Sequence, residues 1–178
     1  MKKIIALAMI MLSINSYGHT RAAEFGIRIN HGIADGTTSN DKLGFQGGII
    51  FGMPINDVLT FRTGGVLAIK DSEVEAFGAK ASASRLFLDV PATLQFGNNV
   101  IQAYAGFNIG LKLSSSCSRP GPGSCSIQDE KTLVLQPVIG ADFPIANLWS
   151  LGFFYEFETQ YSKDYKQSAY GLNANYTF

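Results

Sequence analysis

Ten ionisable side chains, Glu24, Arg28, Arg62, Lys70, Arg85, Asp89, Lys112, Asp142, Glu156 and Glu158, fall on one phase of a period-two alternation that runs through the chain. Five are acids and five are bases, so the set neutralises itself. Residues two apart share a face only in strands, so these charges line one face of a sheet. Closed into a narrow barrel, such a face has two chemical uses. It pairs into a salt-bridged plug, or it leaves a polar, gated path for ions or small solutes. Equal numbers favour the plug, because a lone charge in that setting is costly.

Other reactive groups are few. Cys117 and Cys125 flank the run Ser118-Arg119-Pro120-Gly121-Pro122-Gly123-Ser124 and, if exported, are expected to form a disulfide. Closing so short a ring restricts the loop by about 2–3 kcal/mol in the chain-entropy picture. The loop offers no further Cys or His, so no metal site is expected, and no motif asks for a cofactor. A hydrolase needs a nucleophile and a base, and the only histidines are His19 and His31. The run His31-Gly32-Ile33 places no serine two residues after the imidazole.

The phase opposite the charges is almost wholly apolar: Phe25-Ile27-Ile29, Phe45-Ile49-Phe51-Met53, Leu86-Leu88-Val90-Leu94-Phe96, Trp149-Leu151-Phe153-Tyr155-Phe157. The alternating segments lie near residues 24–33, 42–53, 58–70, 84–96, 100–113, 131–143, 148–161 and 167–178. Each has the length a tilted strand needs to cross a bilayer, about 9–11 residues, with some overhang. The fold expected is all-β, an eight-stranded antiparallel up-and-down transmembrane β-barrel with its apolar wall toward lipid. A soluble barrel would instead turn the apolar face inward around a ligand. The sparse, balanced charges, the glycine-rich polar phase and the lack of a helix after the last strand oppose that alternative.

Tight turns at 54–57, 97–99 and 144–147 alternate with longer connections at 34–41, 71–83, 114–130 and 162–166. The aromatics then sort by height. Phe51, Phe61, Phe96, Phe143, Trp149, Tyr176 and Phe178 fall at the short-turn ends, and Phe45, Phe157, Tyr161 and Tyr170 toward the long loops. Two such girdles suit the two interfaces of a bilayer. In the interior, strand seven lies across from strand three, so Glu156 and Glu158 are expected to reach Arg62, with Arg28 and Arg85 also in range.

Lys2 and Lys3, the apolar run Ile4–Leu12 and the small residues of Ser16-Tyr17-Gly18 have the order of a cleaved secretory signal over 1–18, with an alternative end at 22. A single barrel domain over 23–178 follows. Cleavage after 18 leaves 12 basic against 14 acidic side chains, a net charge of −2, which gives no footprint for nucleic acid.

The alternation ends on Tyr176-x-Phe178, which resembles the C-terminal assembly signal of bacterial outer-membrane barrels. Leu86-Phe87-Leu88-Asp89-Val90-Pro91, Leu94-Gln95-Phe96-Gly97 and Tyr104-Ala105-Gly106-Phe107-Asn108-Ile109-Gly110 resemble strands of the porin-like family of small outer-membrane β-barrels, similar to OmpX/OmpA-type transmembrane barrels. That resemblance implies residence in the outer membrane of a Gram-negative bacterium, contact with outer-membrane lipid and lipopolysaccharide, and insertion by the barrel assembly machinery. It further implies a non-enzymatic anchor whose loops, 71–83 and 114–130 foremost, serve envelope structure, adhesion or a surface ligand. A small channel is the alternative. A lipid A-modifying enzyme is a third reading, weakened because the deacylases of that kind carry His-x-Ser where this chain has His31-Gly32-Ile33.

Overall fold

The computed structural model describes residues 20–34, 38–76, 79–98, 100–118, 130–162 and 165–178. Its strands are β1 (Thr20–Ala34), β2 (Thr38–Asn40), β3 (Lys42–Pro54), β4 (Leu59–Ile69), β5 (Ser72–Ala76), β6 (Ala79–Gly97), β7 (Gln102–Ser118), β8 (Leu133–Ala146), β9 (Trp149–Ser162) and β10 (Tyr165–Thr177). Eight long strands pair antiparallel in the cyclic order β1-β3-β4-β6-β7-β8-β9-β10. Closure is made by β1 on β10, in continuous register from Ala22↔Thr177 to Ala34↔Tyr165. The wall is therefore a closed, eight-strand antiparallel barrel with no membrane-level edge between its first and last strands.

Alternation sets which face is buried. Phe25 is 60% exposed and Leu172 59%, whereas Arg28 is 1% exposed and Lys70 fully covered. Apolar side chains outside and charges inside are the inverse of a soluble barrel, and place the apolar wall toward lipid. The short turns are built alike. Asn56 Oδ1 accepts from the amides of Val58 and Leu59 at 3.0 and 2.9 Å, and Asn98 Oδ1 from those of Val100 and Ile101 at 2.8 and 3.1 Å. The asparagine side chain supplies the acceptor that each turn's backbone lacks.

On the long-loop side the chain departs from the expected loops. Ser72–Ala76 pairs with the start of β6, from Ser72↔Ala83 to Ala76↔Ala79, so most of 71–83 is a hairpin. β2 adds to it, with Ser39 opposite Val74. β7 continues to Ser118 against β6, carrying sheet into the segment expected to be loop from 114. Their period-two signal is faint, because one phase of the hairpin holds only Ser72, Val74 and alanines and the end of β7 is mostly serine, although the ladder continues through them. Lys42 Nζ lies 2.5 Å from Glu73 Oε2 and ties this raised sheet to β3.

Pro91 and Pro137, the prolines at mid-strand, sit at ladder breaks. The β4–β6 ladder skips from Thr63↔Ala92 to Val66↔Asp89, at Val90 and Pro91. Pro137 pairs with Phe107 of β7, but on its other side the β8–β9 ladder stops at Val138↔Glu156. A residue without an N–H is tolerated only where no ladder bond is required.

One irregularity in β9 overturns two expectations. Between Ala169↔Glu156 and Gln167↔Thr159 the β9–β10 register slips, so Phe157 and Glu158 together face a single residue of β10. Both point outward, and beyond them Thr159 and Tyr161 turn inward. Glu158 is thus no lumen residue: it is 45% exposed and pairs with Lys166 at 3.0 Å. Tyr161 belongs to no girdle, being 1% exposed in the interior. A β-bulge reverses the parity of everything after it.

Candidate functional site

The interior is a column of ion pairs in four levels. Nearest the short turns, Arg62 Nη1 donates to Asp142 Oδ2 at 3.0 Å, and its Nη2 lies 3.7 Å from Glu24 Oε2. Asn173 and Asn175 donate to the other Asp142 oxygen at 3.4 and 3.3 Å. At the next level Arg28 makes a two-pronged contact with the Glu156 carboxylate, which also accepts from Asn108 at 3.0 Å and Gln136 at 3.2 Å. Gln46 joins these levels, accepting from Arg28 at 3.3 Å and donating to Glu24 at 2.9 Å. Above them Lys70 Nζ lies 2.7 Å from Asp89 Oδ2 and donates to Gln136 at 2.5 Å. At the rim Arg85 pairs with Glu130 and donates to Ser72 at 2.8 Å, while Lys112 reaches the second Glu130 oxygen at 2.7 Å.

Four of the five cations have a carboxylate on one side and an aromatic ring on the other. Arg62 Cζ is 4.4 Å from the Tyr104 centroid, Lys70 Nζ 4.7 Å from Phe87, Arg85 Cζ 4.6 Å from Tyr165, and Arg28 Cζ 5.9 Å from Phe154. A ring face attracts a cation without offering it a proton acceptor, and it fills space. Glycine makes room for these rings. A Cβ on Gly140 would come within 2.3 Å of Tyr104, and one on Gly171 within 2.7 Å of Phe154.

The residues read from the sequence as a lumen set therefore come together except for Glu158. The acid the sequence reading missed is Glu130, just outside β8, and it restores five acids to five bases. Burial alone would raise the Glu130 carboxyl. The hydrogen bonds from Lys112 and Arg85 outweigh that, so its pKa lies below the ordinary glutamate value. Of the cations in range of Glu156, the one it pairs with is Arg28, as one of the alternatives had it, while Arg62 pairs with Asp142 instead. The inward aromatics Tyr104, Phe87 and Phe154 went unread because aromatics were assigned to the outer wall, although all three sit on the charged phase.

Little space remains. A cavity of about 40 Å³ lies among Glu24, Arg62, Tyr104, Asn108 and Glu156, enough for water and nothing larger. A vestibule of about 200 Å³ opens at the short-turn end between Thr60, Gln95, Gln102 and Ser150, and stops at Arg62 and Asp142.

At the short-turn interface Phe96, Phe143, Trp149 and Phe178 are exposed, and Phe51, Phe61 and Tyr176 half-buried. Trp149 and Tyr176 touch, their centroids 5.0 Å apart. The amide of Phe178 donates to Arg21 at 2.9 Å, which fastens the last residue to β1. Near the opposite rim, His31 Nδ1 lies 2.7 Å from Asp41 Oδ1, both side chains about half exposed. Ser168 of β10 stands directly across from His31. Cys117 is half-buried near the end of β7, opposite Ala83. Cys125, His19 and the segment 1–18 lie outside the described residues, as does most of the loop 114–130. Among the described residues no group of three or more His, Cys, Asp or Glu side chains is arranged to hold a metal.

A family model described as "Outer membrane protein beta-barrel domain" matches residues 4–178. No curated protein matches the chain at a significant level. Among solved structures, the attachment invasion locus protein Ail of Yersinia pestis, in complex with the heparin analogue sucrose octasulfate, is similar at TM-score 0.57 and 13% identity, covering 91% of this chain and all of that one. Neisserial surface protein A is similar at TM-score 0.55 and 16% identity, with the same coverage. The outer membrane protein AlkL is similar at TM-score 0.51 and 12% identity, over 92% of this chain and 93% of its own. At these identities the likeness is one of fold.

Proposed function

The chain belongs to the outer membrane protein beta-barrel domain family, and from that premise we propose that it is a non-enzymatic, non-conducting anchor holding a polar surface sheet above the outer membrane for contact with a partner. The carrying observation is the lumen, where four levels of ion pairs and rings leave only about 40 Å³ at mid-height. Charges used for conduction would need free valences, and here each cation is engaged by at least one carboxylate. Among the described residues the raised sheet of β2, β5 and the ends of β6 and β7 stands on the long-loop side, and it includes most of the candidate recognition segment 71–83 and the start of 114–130. Ail, a barrel of the same fold, has been seen with a sulfated saccharide analogue, so barrels of this shape do accept surface ligands.

Three further elements belong to the reading. Residues 1–18 act as a cleaved export signal; the pairing of β1 from Thr20 onward supports that end over one at 22, which would remove paired residues. Cys117 and Cys125 form a disulfide in the exported protein, in keeping with the lack of a free cysteine among the described residues. Lipid, lipopolysaccharide and the barrel assembly machinery are its partners during residence and insertion.

Current across a planar bilayer holding the folded protein tests the proposal. A silent bilayer is expected; reproducible unitary steps would transfer the assignment to a small channel. A lipid-hydrolase reading has one observation in its favour, the pair His31–Asp41 with Ser168 across the β1–β10 ladder. It requires that lipid A incubated with the protein lose an acyl chain by mass, and that Ser168→Ala abolish the loss.

A further inference from the structure

We infer that the outer wall carries a lipid site between β8 and β9, which takes one acyl chain of an anionic outer-leaflet lipid with its phosphate at Lys131. The site begins where the wall is unpaired. Below, the β8–β9 ladder ends at Val138↔Glu156. Above, the strands rejoin through the Lys131 amide, which donates to the Tyr161 carbonyl at 2.8 Å. Between these ties β8 takes seven residue steps, from 131 to 138, and β9 only five, from 156 to 161. Strands of unequal length between two shared points must part, and the longer one bows.

The local chemistry fits a permanent opening. Pro137 brings no N–H to the seam. Thr159, turned inward after the bulge, donates its Oγ1 hydroxyl to the Phe157 carbonyl at 3.1 Å.

The opening holds a cleft of about 360 Å³, inside the range of roughly 300–1,000 Å³ typical of small-ligand sites. Leu133, Val134, Leu135 and Pro137 line one flank, Glu158, Thr159 and Gln160 the other, with Lys131 also in the lining. The mouth lies on the apolar wall, where the available ligand is lipid. Among the described residues Lys131 and Glu158 line the mouth, and Glu158 is held by Lys166 at 3.0 Å, which leaves Lys131 as the cation that faces a headgroup. Apolar flanks below a cation match an acyl chain below a phosphate, in the orientation an outer-leaflet lipid already has.

The test uses protein extracted from the outer membrane into neutral detergent, with Gln160→Trp as reporter in a Trp149→Phe background and gel mobility as the check on folding. Lysophosphatidylglycerol with a brominated chain should quench the reporter saturably, about five-fold more tightly than the brominated phosphatidylcholine counterpart, as one Lys near a charged headgroup allows. Lys131→Gln should remove the preference. Quenching that never saturates would overturn the site, and equal affinity for both headgroups would overturn the role of Lys131. Should the reporter not fold, native mass spectrometry of the unsubstituted protein decides. One retained anionic lysolipid per barrel, lost in Lys131→Gln, is expected, and no adduct, or one unaffected by Lys131→Gln, refutes the inference.

Discussion

Glu156→Gln removes one charge and almost no volume at the most connected point of the lumen. Glu156 is 2% exposed and accepts from Arg28, Asn108 and Gln136, and Gln136 in turn receives Lys70. After the substitution Arg28 keeps neutral partners alone, Asn30 at 2.8 Å, Gln46 at 3.3 Å and the amide oxygen introduced at 156. A buried guanidinium left without its carboxylate costs about 3–5 kcal/mol, a factor of some hundreds to thousands in the unfolding equilibrium. Replacing both partners by apolar residues of similar size, Arg28→Met with Glu156→Leu, should be neutral or stabilising by about 1–4 kcal/mol, since both desolvation penalties disappear. Trp149 is the only tryptophan and sits at the short-turn interface away from this pair, so its fluorescence reports unfolding in urea from lipid vesicles without disturbance. A loss under about 1 kcal/mol for Glu156→Gln, or a double variant as unstable as the single one, would refute the description of the lumen as a set of desolvated pairs.

Glu158→Gln should change stability by no more than about 0.5 kcal/mol, because its pair with Lys166 lies in the open; a loss comparable to that of Glu156→Gln would place Glu158 back in the lumen and remove the bulge. Leu88→Arg should cost about 2–4 kcal/mol in the same urea assay if its side chain meets the bilayer core, and unchanged stability would mean that the apolar wall does not face lipid. For Glu130 the folded pKa lies below its unfolded value. Its contribution is therefore complete above the unfolded glutamate pKa and disappears as pH falls through the folded one. A stability profile from neutral to acid should accordingly show a shallower acid limb for Glu130→Gln than for the parent, and superimposable limbs would show that the rim pairs with Lys112 and Arg85 do not form.

Alternation made the barrel and its orientation legible, because it repeats in every long strand and needs no distant information. The membership of the lumen was legible for the same reason, as far as parity holds. It fails at Phe157-Glu158, where two outward residues follow one another. Nothing in that dipeptide distinguishes a bulge from a regular strand, and the slip is set by how β9 meets β10. Who pairs with whom was less legible. Arg62 finds Asp142 rather than Glu156 because strand stagger, invisible in any one segment, sets the height of each side chain. Glu130 lay in what reads as loop, outside any alternating run. The hairpin Ser72–Ala76 with β6 alternates only between charged or hydroxyl residues and small ones, Val74 and alanines, too weak a contrast to read as a strand. Pro137 lies inside an alternating run although it brings no N–H, and the end of the β8–β9 ladder at Val138 is where the wall accommodates it.

The reach of the lumen pairs constrains how the protein is made. Arg28 belongs to the first strand and its carboxylate to β9, 128 residues later. Glu24, also in the first strand, receives Asn173 of the last. Until β9 arrives, Arg28 of β1 has no carboxylate to pair with, and only water can solvate it. The nascent sheet must therefore stay open and wet on its concave side. Expelling that water, forming the pairs and sealing β1 to β10 become a single event at the end of insertion. The barrel is thus held back from premature closure, since a sheet that curled up before β9 was in place would trap an unneutralised arginine.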